Sequence, residues 1–220
     1  MGDNAGKMRI PAISASLVLG LTLGCTSPST AAAPLVGPEA YFITQYTHPR
    51  WHPEPTPLVN ADCGPTSLAM VLKAFGKVDE SSSARLIRRV RLAMTGWDDQ
   101  QTWTYPAQFP HAAARFGLSS RIVRGGADAV LDAMATPGRL AIVNVNPTPA
   151  YSAQLAYPVD GGHFAVITHA EADRITLNDP LADGPITITR EQLATALNTP
   201  LGNGIAPYNG GIVLWVQNPG

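Results

Sequence analysis

The chain has 220 residues and a formal net charge of -1, with 15 Lys and Arg against 16 Asp and Glu. Without a basic excess to neutralise phosphates, it is not expected to bind nucleic acid. A hydrophobic fraction of 45% suffices for one packed core, while 14% charged residues and 20 each of Gly and Pro describe short elements joined by many turns. A coiled coil, a disordered chain and a repeat array are thereby excluded.

Lys7 and Arg9 precede a short apolar run, Ile13 to Leu23, in the charge-then-apolar order of a bacterial secretory signal. The run falls short of the roughly 20 residues that a membrane helix needs. Thr22-Leu-Gly-Cys25 resembles a bacterial lipobox, with Thr22 where that motif usually has Leu. Lipidation of Cys25 and ordinary cleavage near Ala31 to Ala33 are the two processing routes. The chain therefore divides into a signal peptide at 1–25, read as the lipoprotein type, a flexible linker at 26–38 and one domain at 39–220. Export is expected, with any membrane attachment made through a lipid anchor.

Along the domain, Ala40 to Gln45 reads as an extended apolar segment, and a Pro-rich loop with His48, Trp51 and His52 follows. Leu68, Val71, Leu72 and Phe75 then recur at i, i+3, i+4, i+7, one face of a helix that Pro65 opens and Gly76 ends. Ser81 to Met94 is a second helix with Leu86, Ile87, Val90 and Met94 on one face. Its Arg85, Arg88, Arg89 and Arg91 read as a solvated face. Pro106 to Phe116 is a third helix. The period then changes. Strands are expected at Ser119 to Val123, Arg139 to Asn146, His163 to His169, Ile175 to Asn178, Ile186 to Thr189 and Ile212 to Val216. Short helices at Ala127 to Ala135 and Arg190 to Leu197 fall among them, and Pro147 to Gly162 is a long loop of the kind that borders a site. Gly202 to Gly204 and Asn209 to Gly211 read as turns. Helices first and strands later is the α+β order, a helical layer on a mostly antiparallel sheet.

The cysteine count is informative. Either processing route leaves Cys63 as the lone thiol of an exported domain, where cysteines usually pair. A disulfide with Cys25 and an inert buried thiol are the other possibilities. Cys63 stands at the positive end of a helix dipole, where a sulfur anion is favoured. A cysteine nucleophile also needs a base, an orienter for that base and an oxyanion donor. His163 opens an apolar strand directly after Gly161-Gly162, a rigid platform for a base, although a strand-end His is also a common structural feature. His169, six residues on, shares its face if the strand is regular. His48, His52 and His111 are placed at the surface. Asp179, before Pro180, is an orienter or simply a turn residue, and Gln45 is the candidate oxyanion amide.

DCGPTSLAMVLKAFG (62–76) resembles the nucleophile helix of cysteine peptidase family 39, papain-like domains that include the double-glycine leader peptidases of bacteriocin exporters. GGHFAVIT (161–168) is similar to the family's histidine strand, LNDP (177–180) to its aspartate turn, and ITQYTHPRW (43–51) to its glutamine-bearing opening. The resemblance covers roughly 41–216. It implies a papain-like fold, with Cys63 as nucleophile, His163 as base, Asp179 as orienter and Gln45 as oxyanion donor, helped by the Cys63 N–H. In the leader peptidases the glutamine lies a few residues before the cysteine, a place held here by Pro57, so 46–61 would be an insertion. The expected function is an exported cysteine peptidase acting on a peptide or peptidoglycan-like substrate without cofactor or metal. An acyltransferase with the same triad and a non-catalytic surface binding protein are the alternatives. HExxH, CxxC and a phosphate loop are lacking, and DPLADG (179–184) reads as a turn, its calcium-ligand spacing incomplete.

Overall fold

The computed structural model describes residues 37–47, 61–99, 102–157 and 159–216. The expected signal segment, Cys25, the linker as far as residue 36, and the loop carrying His48, Trp51, His52 and Pro57 lie outside them.

Three helices come first: α1 (Cys63–Ala74), α2 (Ser83–Thr95) and α3 (Gln108–Arg115). They are followed by β1 (Leu118–Arg124), α4 (Gly126–Met134), β2 (Arg139–Val145), α5 (Pro149–Ser152), β3 (His163–Glu171), β4 (Arg174–Asn178), β5 (Ile186–Thr189), α6 (Arg190–Asn198) and β6 (Gly210–Val216). The strands form one antiparallel sheet in the order β1-β6-β2-β3-β4-β5. Local chemistry sets several boundaries. The Ser82 side chain caps α2 by accepting from the Arg85 N–H, and Gly96 closes that helix in the left-handed conformation. Thr189 and Gln192 form a reciprocal capping box, so β5 passes into α6 without a connecting loop.

The alternation of the central strands divides the core in two. Leu140, Ile142, Phe164 and Val166 face one way and pack with Leu68 and Leu72 of α1 and Leu86 of α2. Ala141, Val143, Ala165 and Ile167 face the other way and meet Val130 of α4 and Leu193 and Leu197 of α6. Both faces of β2 and β3 are covered, which is why these strands read as near-continuous apolar runs. The fold is α+β as expected, with a second, thinner helical layer behind the sheet. No described helix is long and apolar enough to cross a membrane.

Three local expectations are corrected. Residues 40–45 are not one extended segment: 3-10 turns occupy Pro38–Tyr41 and Gln45–Thr47, with only residues 42–44 between them. Tyr41 and Ile43 still anchor the segment in the core, but the Ala40 amide bonds back to Gly37 and the Gln45 amide goes to Pro180 rather than to a neighbouring strand. Helix α1 starts at Cys63, which puts Pro65 at its third position; the amide that proline lacks is still one of the first-turn donors without a helical partner. Gly210 and Gly211 belong to β6, with only Asn209 left in the turn. A Cβ on Gly210 would stand 2.1 Å from the Val123 carbonyl oxygen, so the β1–β6 pairing requires glycine there.

Candidate active site

Cys63 is the first residue of α1, buried, with a free thiol. The unpaired amides of the first helical turn surround this position and favour negative charge there. The helix is fastened to the sheet beside it. Ser67 Oγ donates to the Phe164 carbonyl at 3.2 Å, and the Phe164 ring packs on Phe109 of α3 with centroids 4.9 Å apart. The residue before Phe164 is His163, so the tie that docks α1 also sets the helix that begins at Cys63 against the strand that begins at His163.

His163 opens β3 opposite Val145 and is almost wholly buried. The approach to it is tight. Gly161 has φ of 140° and donates its amide to Asn146 Oδ1 at 3.2 Å, while the Gly162 amide donates to the Leu201 carbonyl at 3.0 Å. That positive φ is one that residues with a Cβ rarely adopt.

His163 Nε2 lies 2.8 Å from Asp179 Oδ1, which leaves Nδ1 for Cys63. Burial is the largest influence on the imidazole and pushes its pKa down. The charge and hydrogen bond of Asp179 act against it, joined by the hydrogen bond and charge of Cys63, and the pKa is raised from 6.5 to about 10. The ring is therefore an imidazolium through neutral pH.

Asp179 follows the last residue of β4 and has no solvent exposure. Three groups fix its carboxylate. Oδ1 takes His163 and the Leu181 amide, the latter at 2.8 Å in a local turn, and Oδ2 takes the Tyr151 hydroxyl at 2.6 Å. Tyr151, on α5, is itself fully buried. Burial first, then the charge and hydrogen bond of Asp179, holds its phenol pKa well above 10, so it stays a donor.

Gln45 is buried, and its turn is pinned next to Asp179. The Gln45 amide and the Thr44 hydroxyl both donate to the Pro180 carbonyl at 3.0 Å. The Gln45 side chain hydrogen-bonds to Tyr46, whose phenol pKa is raised mainly by burial, then by Tyr157 and, less, by the Cys63 charge. Tyr46 packs on Tyr157 with ring centroids 4.0 Å apart. Gln45 and Tyr46 thus lie on the Cys63 side of the cluster.

Cys63 opens onto a cavity of about 610 Å³ between the helical layer and the sheet. Trp103 and Tyr105 line it, together with Gly161-Gly162 from the end of the loop expected to border a site. Arg124 and the segment from Leu201 to Tyr208 complete it, and nothing in the sequence periodicity points to them. Trp103 and Tyr105 are more than half exposed.

The remaining histidines stand apart. His111 is exposed on α3. His169 does not share the face of His163, because the β3–β4 register shifts between Ile167 and His169; its exposed ring pairs with Glu171 at 2.9 Å. His48 and His52 lie outside the described residues. No group of three or more metal-ligating side chains occurs among the described residues.

Two residues escape the sequence reading. Arg91 is not on a solvated face but buried against Asp62. The spacing contains the signal, since Arg91 is four residues after Ile87 and three before Met94, within the apolar stripe of α2. Tyr151 follows Thr148-Pro149, a cap and first-turn proline that mark a short helix inside the long loop.

No family model matches the chain, and no curated relative matches it. Among solved structures, a chain described as a C39-like peptidase from Bacillus anthracis is similar with a TM-score of 0.50 at 14% identity, over 81% of this chain and 95% of that one. The peptidase domain of Streptococcus ComA, a bifunctional ABC transporter, gives 0.49 at 18% identity over 71% and 93%. A double glycine motif protease from an AMS/PCAT transporter, solved with its leader peptide, gives 0.47 at 19% identity over 75% and 91%. The likeness to the first of these is one of fold, the α+β architecture of that C39-like chain.

Proposed function

We propose that the chain is an exported cysteine hydrolase that cleaves peptide bonds through Cys63, His163 and Asp179. The observation that carries this reading is the buried His163–Asp179 pair at 2.8 Å, with Cys63 acting on the same ring at the floor of an open cavity. The Cys63 sulfur anion attacks the substrate carbonyl carbon, forming a C–S bond and moving charge to the carbonyl oxygen. The Cys63 amide and the Gln45 side-chain amide are the donors assigned to that oxygen. His163 Nδ1–H gives its proton to the departing amine as the C–N bond breaks. Water then attacks the thioester, its proton passes to Nδ1, and the C–S bond breaks to release the acid. Asp179 keeps the ring oriented and balances its charge throughout. The substrate class is a peptide or a peptidoglycan-like peptide, and export rests on the segment from Lys7 to Cys25.

The test is iodoacetamide alkylation of Cys63 at pH 6 in the wild type and in His163→Ala. A thiolate–imidazolium pair reacts at that pH, where an ordinary thiol of pKa about 8.5 is almost entirely protonated. Fast alkylation that is lost in His163→Ala, with peptide-library cleavage abolished in Cys63→Ala, is the expected outcome. Equal, slow rates in the two proteins would refute the reading.

A further inference from the structure

We propose that Arg91 is a positioning residue of this site, holding the start of the nucleophile helix and the aromatic wall of the cleft in one fixed relation. Its consequence for reactivity rests on the hydrolase reading; its geometry does not. Arg91 comes from α2, and its side chain is almost wholly buried. Nε donates to Asp62 Oδ1 at 2.6 Å, and Nη2 reaches the same oxygen at 2.5 Å. Nη2 also donates to the Ala61 carbonyl at 2.8 Å, and Nη1 donates to the carbonyls of Asp99 at 2.8 Å and Thr102 at 2.9 Å. A guanidinium has five N–H donors in a planar fork; four of them make these hydrogen bonds, and Nη2 adds the ion-pair contact to Asp62.

Stability is a poor account of such an arrangement. A buried ion pair often contributes no more than well-packed apolar side chains of the same volume. Position is the better account. Ala61 and Asp62 lead directly into Cys63, and Asp62 occupies the N-cap of α1, yet its side chain makes no cap bond to the helix. Arg91 holds that carboxylate instead. The first-turn amides are thereby left to an anion at Cys63, and the neighbouring carboxylate charge, which would repel that anion, is balanced. On its other side Arg91 grips Asp99 and Thr102, the residues leading into Trp103, Thr104 and Tyr105. The two parts touch: a Cβ at Gly64 would stand 2.2 Å from Thr104 Oγ1.

The first experiment compares the wild type with Arg91→Lys, which keeps the positive charge but has three donors and no fork. With the variant folded at 25 °C, iodoacetamide alkylation of Cys63 at pH 6 is expected to fall roughly tenfold or more, since small misplacements at a reacting centre have effects of that order. Amide exchange at residues 61–64 and at Asp99 and Thr102–Tyr105 should accelerate together, with the sheet unchanged. A folded Arg91→Lys with wild-type alkylation and exchange overturns the proposal. Because stripping one partner from a buried pair can prevent folding, Asp62→Leu combined with Arg91→Met repeats the test without a stranded charge; a wild-type alkylation rate there also overturns it. Native-state exchange of the unaltered chain decides the case in which neither variant folds. The two segments must open in one step with a common denaturant dependence, and separate openings overturn the proposal. A wild-type Cys63 that alkylates slowly and independently of His163 defeats the hydrolase reading alone, and exchange still decides the role of Arg91.

Discussion

Replacing Tyr151 by Phe removes one atom from the buried cluster, and the structure says what that atom does. The hydroxyl donates to Asp179 Oδ2 at 2.6 Å, in a setting where neither residue has solvent exposure. Phe keeps the ring and therefore its packing, so the cavity contribution is confined to an oxygen-sized gap. The electrostatic loss dominates. Asp179 Oδ1 retains His163 and the Leu181 amide, but Oδ2 is left without a hydrogen-bond partner among the described residues. A hydrogen bond to a charged group contributes about 1.5–3 kcal/mol, about twice a neutral one. For a domain of this size that corresponds to a fall in Tm of roughly 3 to 12 °C. The phenol stays protonated well above pH 10, first because it is buried and then because of the Asp179 charge, so the loss should be constant across neutral pH. Urea unfolding and thermal melts of the wild type, Tyr151→Phe, Asp179→Asn and the double variant form a cycle that isolates the pair. A loss under about 0.5 kcal/mol, within the range of an ordinary surface change, would refute the assignment of the hydroxyl to an ionised Asp179.

Three further outcomes are expected. Gly64→Ala places a Cβ 2.2 Å from Thr104 Oγ1 and 3.1 Å from its Cβ, so the cleft wall must shift; a destabilisation of about 1–3 kcal/mol is expected, and a wild-type melt would show that Thr104 yields freely. His169→Ala removes an exposed ring paired only with exposed Glu171 among the described side chains; stability should stay within about 0.5 kcal/mol and Cys63 alkylation should not change, whereas a drop like that of His163→Ala would reinstate His169 as a base. The third concerns pH. Burial lowers the His163 pKa, but Asp179 and Cys63 together raise it to about 10, so the folded chain keeps a proton that the unfolded chain releases above about 6.5. Because the imidazolium is paired with a sulfur anion that has given up its own proton, this stabilisation is lost only as the pH climbs from the ordinary thiol value of about 8.5 to about 10, at up to about 1.4 kcal/mol per pH unit. Urea midpoints should fall across that window and flatten in His163→Gln; a wild-type profile no steeper than that variant would refute the shift.

What the sequence makes legible is what periodicity and local chemistry control. The stripe Leu68, Val71, Leu72 announces α1, and the runs LAIV and FAVI announce strands covered on both faces. The order of Cys63, His163 and Asp179 is legible as a set of motifs, but the geometry between them is not. That Nε2 faces Asp179 while Nδ1 is left for Cys63 follows from packing between residues 16 and 100 positions apart. His169 shows the limit of parity, since one register shift moves a side chain off the face that its number predicts. Of the segment from Leu201 to Tyr208 the sequence marks only the turn at Gly202 to Gly204, yet the segment lines the cleft, held there by the bond from the Gly162 amide to the Leu201 carbonyl. Arg91 is misjudged for a different reason. Four arginines on one helix invite a solvated face, and charge composition outweighs the spacing that places one of the four in the apolar stripe.

The site has no single scaffold element, and that shapes how it can fail. Cys63 takes its place from α1, which Ser67 ties to Phe164 across 97 positions in sequence. Gln45 takes its place from Pro180, which also receives Thr44 across 136 positions. Asp179 takes its carboxylate rotamer from Tyr151 on an otherwise separate loop helix, and the helix start before Cys63 takes its path from Arg91. Each of these groups is thus held through a polar bond to an element remote from its own. The Ser67–Phe164 bond and the contact of Cys63 with His163 cross the seam between the helical layer and the sheet, where water would satisfy the same groups if the layers parted. The cluster can therefore exist only while the layers are docked, and its geometry reports docking more sharply than any one helix or strand does. Undocking leaves α1 and the sheet each with native local pattern but separates the sulfur from the imidazole–carboxylate pair that the sheet carries.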